Sequence, residues 1–87
     1  MDIEIDQLKK KIIYRSNYRG TREMDKLLGS FTKQNINKLD IDDLFNLLSL
    51  LDIDDDNLYN YYKGLKTDIK IEENNVSLLF KKFRINE

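Results

Sequence analysis

The chain has no cysteine and no histidine. Disulfides, thiolate chemistry, imidazole acid-base catalysis and every His or Cys metal site are therefore excluded, and with them most enzyme classes. Alanine, proline and tryptophan are also missing, while isoleucine, lysine, asparagine and aspartate are plentiful. That pattern fits coding bias in an AT-rich genome and carries no mechanistic weight. No apolar run approaches the roughly 20 residues of a membrane span. The first six residues, Met1-Asp2-Ile3-Glu4-Ile5-Asp6, are acidic and lack the features of a secretory signal or an Arg/Ser-rich organelle leader.

The chain has 87 residues, 40% hydrophobic and 36% charged. It is expected to form one domain over residues 1–87, of radius about 12 Å, burying roughly 60 to 65% of its unfolded surface. Such a core leaves no room for a deep private active site. The net charge is −1, so no global field draws the protein to nucleic acid or to an anionic membrane. The charge is unevenly placed: Lys9 to Arg22 holds six basic residues and no acidic one, and Leu39 to Asp56 holds seven aspartates and no basic residue. These segments read as oppositely charged solvated faces, with Arg15, Arg19 and Arg22 as a candidate basic docking face.

Hydrophobic spacing is helical nearly throughout, which predicts an all-α fold, a small antiparallel bundle of about five short helices. The first helix is expected from about Ile5 to Tyr18, with Ile5, Leu8, Ile12 and Arg15 on one stripe, Ile13 flanking it, and Gly20 marking its end. The second, from about Thr21 to Lys33, carries Met24, Leu27, Leu28 and Phe31 inward, with Thr21 as N-cap. After a polar break at 34–38, Asp40 caps a third helix with Leu44, Leu47, Leu48 and Leu51 inward and Leu39 stapled to Leu44. Asp54 caps a short fourth helix, Asp55 to Lys63, that stops at Gly64. A last helix, from about Glu72 to Phe83, buries Val76, Leu79, Phe80 and Phe83; the tail beyond it is expected to be mobile.

Candidate chemistry is sparse. Asp52-Ile53-Asp54-Asp55-Asp56-Asn57 resembles a calcium loop only superficially, since Asn57 and Lys63 stand where glycine and glutamate are needed; helix capping explains these aspartates better. Tyr59, Tyr61 and Tyr62 have acidic neighbours and read as core packing rather than as a stacking platform for bases or flavin. The carboxylates lack a cleft that would make a glycosidase-like pair. The most informative segment is Arg15 to Phe31. There Gly20 removes a side chain between Arg19 and Glu23, two opposite charges that helical spacing would pair weakly on the surface.

The run Ile12-Ile13-Tyr14-Arg15-Ser16-x-x-Arg19-Gly20-Thr21-Arg22-Glu23-Met24-Asp25-x-Leu27-Leu28-Gly29-x-Phe31 resembles the signature of the succinate dehydrogenase assembly factor family, the flavinylation factors of bacteria and mitochondria. It looks closest to the alphaproteobacterial branch. A second block, Leu50-Leu51-x-x-Asp54-x-x-x-Leu58-Tyr59-x-Tyr61, extends the resemblance over most of residues 9 to 64. This block departs from the family, which commonly has proline, aspartate and tryptophan where this chain has Asp56, Asn57 and Tyr61.

The resemblance implies a helical, non-enzymatic assembly factor that binds the flavoprotein subunit of succinate dehydrogenase and promotes covalent attachment of FAD to a histidine of that subunit. No cofactor would be held stably by this chain. The fumarate reductase flavoprotein is a second candidate partner. The resemblance assigns Gly20 to close backbone approach, Arg19 and Arg22 to charge-assisted hydrogen bonds, and Glu23 to pairing with a donor on the flavoprotein, with Arg15 and Asp25 flanking the contact. The N-terminal composition, rather than the resemblance, sets the expected location: with no leader-like segment the bacterial cytoplasm is expected and the mitochondrial matrix disfavoured. The competing reading is a small helix-turn-helix DNA-binding regulator built on the basic first two helices. Against it, the second helix turns its apolar side inward and mixes Glu23 and Asp25 with its arginines, which would repel phosphate.

Overall fold

A computed structural model describes residues 2–85. They form five α-helices and a 3₁₀ turn, with no strand among the described residues: α1 Asp2–Asn17, α2 Arg22–Asn35, the 3₁₀ turn Ile36–Lys38, α3 Ile41–Leu51, α4 Asp55–Lys63 and α5 Asn75–Lys82. The radius of gyration is 12.4 Å.

Side-chain hydrogen bonding sets most of the boundaries. The side chains of Thr21, Asp40 and Asp54 accept from the backbone N–H groups of Met24, Asp43 and Asn57, satisfying donors that the first turn of a helix leaves open. Gly64 ends α4 at φ +76°, in the left-handed region where L side chains are strained. α5 starts three residues later than its acidic prelude suggests. Asn74 accepts from Val76 and Ser77 while its own N–H donates to Ser77 Oγ, a reciprocal capping box stronger than any cap available at Glu72. The polar stretch 34–38 does not break α2, because it holds neither proline nor glycine; α2 runs to Asn35 and tightens into the 3₁₀ turn.

α1 and α2 pack antiparallel. Asn17 lies against Gly29, Ser16 bonds Thr32 at 2.6 Å and Lys9 reaches Asn37 at 3.5 Å, so partners descend one helix as they ascend the other. Gly29 permits this approach, since a Cβ there would collide with the Asn17 side chain. The buried stripe of α1 continues from Ile12 to Ser16 and not to Arg15; the Ser16 hydroxyl bonds Ile12 O and Thr32, so a polar residue is fully buried with its hydrogen bonds made.

The core joins Ile12, Met24, Leu27, Leu28 and Phe31 to Leu44, Leu47, Leu50, Leu51, Leu58, Val76 and Phe80. Phe31 meets Phe80 and Phe83 edge-on, with centroids 5.3 and 5.4 Å apart. Leu39 packs, partly buried, on the same core.

Two inward assignments fail, and so does one expectation about the tail. Leu79 is exposed; beside Val76, Phe80 and Phe83 the inward position is taken by Ser77, whose hydroxyl is held by the Asn74 N–H and Glu72 O. Of the tyrosines, Tyr61 is buried and Tyr62 half-buried against Phe80, but Tyr59 faces solvent. Beyond Phe83 the chain is not loose: Arg84 lies over the Tyr62 ring and Ile85 packs on the core. Residues 86–87 of that tail lie outside the described residues.

Candidate functional site

The turn that joins α1 to α2, residues 18–21, is the most unusual piece of backbone in the molecule. Gly20 has φ +114°, and a Cβ built on it would meet nothing within 4 Å. The constraint at this glycine is therefore conformational, and the space above it is open. Arg22 and Glu23 follow on the first turn of α2, both exposed and, among the described residues, without a hydrogen bond or ion pair. Beside them an open groove of about 750 Å³ runs between the start of α2 and α4, lined by Thr21, Met24, Asp55, Asp56, Tyr59 and Asp68 among others.

The basic and acidic segments of the sequence are not separate faces; they meet here. Arg15, in the last turn of α1, pairs with Asp52 at the end of α3. Arg19 is drawn further in, with its side chain only 9% exposed. Its Nε donates to Asp55 Oδ1 at 3.0 Å, Nη1 to Leu51 O at 2.5 Å and Nη2 to Ile53 O at 2.6 Å. The Arg19 backbone N–H donates to Asp25. Pairing of Arg19 with Glu23 therefore does not occur. Arg19 lies before the N-cap Thr21, outside the helix, so the four-residue helical neighbour relation does not hold between them.

All six predicted site residues thus gather around one turn, in two layers. Gly20, Arg22 and Glu23 lie outside; Arg15, Arg19 and Asp25 tie the turn to its surroundings. Sequence reading did not find Asp52 and Asp55 as the partners of the arginines, although the all-acidic run opposite an all-basic one was the available signal. It also did not place Tyr14 and Tyr18, which stack at 4.7 Å between centroids and are 65% and 70% exposed on the α1 side of the turn.

Asp54, next to this cluster, has its carboxyl held below the ordinary carboxylate value by hydrogen bonds from the Asn57 side chain and backbone N–H. Asp54 thereby acts as the cap expected of it, whereas Asp55 serves Arg19. Among the described residues no group of His, Cys, Asp and Glu could hold a metal ion, and no helix is long and apolar enough to cross a membrane. The helix-turn-helix reading gains no support: two of its three arginines are occupied by aspartates and backbone carbonyls, and the third, Arg22, shares its groove with Glu23, Asp55, Asp56 and Asp68.

Comparison with known proteins gives the same direction as the turn. The sequence model of a family described as flavinator of succinate dehydrogenase matches residues 10–84, which includes the whole site. A mitochondrial succinate dehydrogenase assembly factor 2 from Dictyostelium discoideum is 43% identical over 58 residues. That match covers 67% of this chain and 41% of the relative, so the chain spans less than half of the length of the curated relative it matches. No solved structure matches the chain. The relative is mitochondrial, which overturns the expectation of a bacterial cytoplasmic location. That expectation rested on the composition of a few N-terminal residues, and two aqueous compartments make the same demands on a small bundle, so composition does not separate them.

Proposed function

The chain belongs to the family of flavinators of succinate dehydrogenase, and from that membership we propose that it binds the flavoprotein subunit of the enzyme and promotes covalent attachment of FAD to that subunit. The observation that carries the proposal is the family match across residues 10–84, with the exposed Gly20 turn inside it. Gly20 gives a partner access to bare backbone. Arg22 and Glu23 flank it with one donor and one acceptor not engaged within the bundle, suited to charge-assisted hydrogen bonds across an interface.

The residues around the turn do not fit FAD itself. With Asp55 paired to Arg19, Glu23, Asp56 and Asp68 still line the groove against the single lining cation Arg22, and that charge would repel a pyrophosphate. This favours a cofactor carried by the partner throughout, and a chain that is not an enzyme. Its effect would be to bind the attachment-competent arrangement of the flavoprotein more tightly than the others and so raise its population. The fumarate reductase flavoprotein is a second partner to test.

The decisive experiment is covalent flavin fluorescence of the denatured flavoprotein subunit, produced in a host lacking its own factor and supplied with this chain or with its Glu23→Ala variant. Restoration by the wild type and loss with the variant is the expected result. Absence of restoration with both proteins soluble would sink the proposal. Gly20→Arg is expected to block docking, both by covering the bare backbone and by straining a turn whose φ of +114° L side chains rarely adopt, while the helices stay folded; wild-type affinity in that variant would move the docking face elsewhere.

A further inference from the structure

Arg19 ties together more elements of the fold than any other polar side chain among the described residues. Leu51 is the last residue of α3, so its carbonyl is one of those a helix C-terminus leaves without an internal partner, and Ile53 follows in the connection to α4. Asp55 is the first residue of α4. One guanidinium therefore closes the end of α3, fixes the connection and neutralises the start of α4, while its own backbone N–H is held by Asp25 of α2. The planar fork of arginine suits three acceptors arranged in this way; a lysine ammonium on a flexible stem does not reproduce it. With Nε, Nη1 and Nη2 all directed inward and the side chain 9% exposed, little of the charge faces a partner.

We propose that Arg19 is a positioning residue and not a partner contact: it clamps the Gly20 turn to the α3–α4 connection, so that Gly20, Arg22 and Glu23 on one side of the groove keep register with Asp56 and Tyr59 on the other. The proposal rests on the docking of the flavoprotein at this turn for its functional consequence, and on the hydrogen bonds alone for the clamp. Asp55 acts through Arg19 in the same device, because it supplies the one carboxylate that the guanidinium holds.

The test compares the full chain with R19K, R19A, D55N and the double variant R19A/D55N, each checked for helicity by circular dichroism at a temperature well below its midpoint. Two readings are taken: affinity for the flavoprotein subunit, and hydrogen exchange at the Asp52 and Ile53 amides, which donate to Ser49 and Leu50 in the wild type. A clamp predicts faster exchange at both amides in R19K and D55N, and a loss of affinity of about tenfold in each, with the double variant no worse than R19A alone. A direct contact predicts that D55N binds normally, that R19K keeps most of the affinity through its charge, and that exchange is unchanged; that result overturns the proposal. Lowered midpoints with unchanged affinity of the folded protein would reduce Arg19 to a stabilising residue and also overturn it. Failure of the wild type to bind the flavoprotein overturns the docking reading instead, and the exchange rates then decide the clamp by themselves.

Discussion

The three residues that lead into α4 are held by charge, and the eleven residues 64–74 that lead out of it are held mainly by neutral hydrogen bonds and an apolar contact. Before α4, Arg19 and Arg15 reach Asp55 and Asp52 from another helix pair, and Asp54 caps the first turn. After α4, Leu65 and Ile69 are exposed, and neutral hydrogen bonds tie this stretch to the helices: the Leu65 N–H donates to Asn60 O at 2.7 Å, the Asp68 N–H to the Asn57 side chain at 2.8 Å and the Ser77 hydroxyl to Glu72 O at 3.0 Å. Beyond it, α5 is secured by aromatic packing. The short connection sits between the guanidinium of Arg19 and the cap of α4, whereas the long one sends Asp68 to the rim of the proposed docking groove. The long one is held by neutral hydrogen bonds at Asn57 and Asn74 and by Ile71 on the core, before Phe80 and Phe83 reach Phe31.

The contrast can be broken from either side. The largest effect is expected on the aromatic side: Phe80→Ala removes a fully buried ring and should cost about 3–5 kcal/mol in urea unfolding. Arg19→Ala comes next, at about 2 kcal/mol, because it leaves the Asp55 carboxylate and two carbonyls without their donor. A loss under half that size would show that water replaces the guanidinium easily. Asn57→Ala should cost about 1 kcal/mol and speed exchange at the Asp68 amide, since the Asn57 side chain bonds both Asp54 and Asp68.

The smallest effect is one of pH. Asp54 has a lowered carboxyl pKa in the fold, so the unfolded chain binds the proton first; its stabilising contribution is complete above the ordinary value of 3.8 and disappears as pH falls through the lowered one. Thermal midpoints of wild type and Asp54→Asn should therefore keep a constant offset above about pH 5 and converge in more acidic solution.

How much of this contrast was legible in the sequence depends on how local each signal is. The bounds of α4 were readable to the residue, because Asp54 and Gly64 act on backbone groups within four positions of themselves. The fold class was readable from the repeat of apolar residues. The start of α5 was not, since acids at 72 and 73 suit a helix N-terminus in general but only the Asn74 and Ser77 side chains close a reciprocal cap. For the candidate site, the six residues named from sequence do gather around one turn, whereas the partners of the arginines were missed. Arg19 and Asp55 are 36 residues apart, and periodicity fixes which face of a helix is apolar without saying which charges on other elements will meet there. The exposed Tyr14 and Tyr18 pair was hidden for a similar reason: a tyrosine fits a core or a surface equally well until its neighbours are placed.

The placement of those tyrosines has an optical consequence. The chain has five tyrosines and no tryptophan, so its intrinsic ultraviolet emission comes from phenol rings alone. Tyr61 is buried and Tyr62 half-covered, while Tyr14 and Tyr18 stand in solvent beside the turn and Tyr59 lines the groove. Any tryptophan brought to this face by a bound protein would act as an energy acceptor for those three rings. Titration of the unlabelled chain would then read out contact at the turn as quenching of its own emission, and Tyr14→Phe with Tyr18→Phe would remove most of that signal without adding a dye.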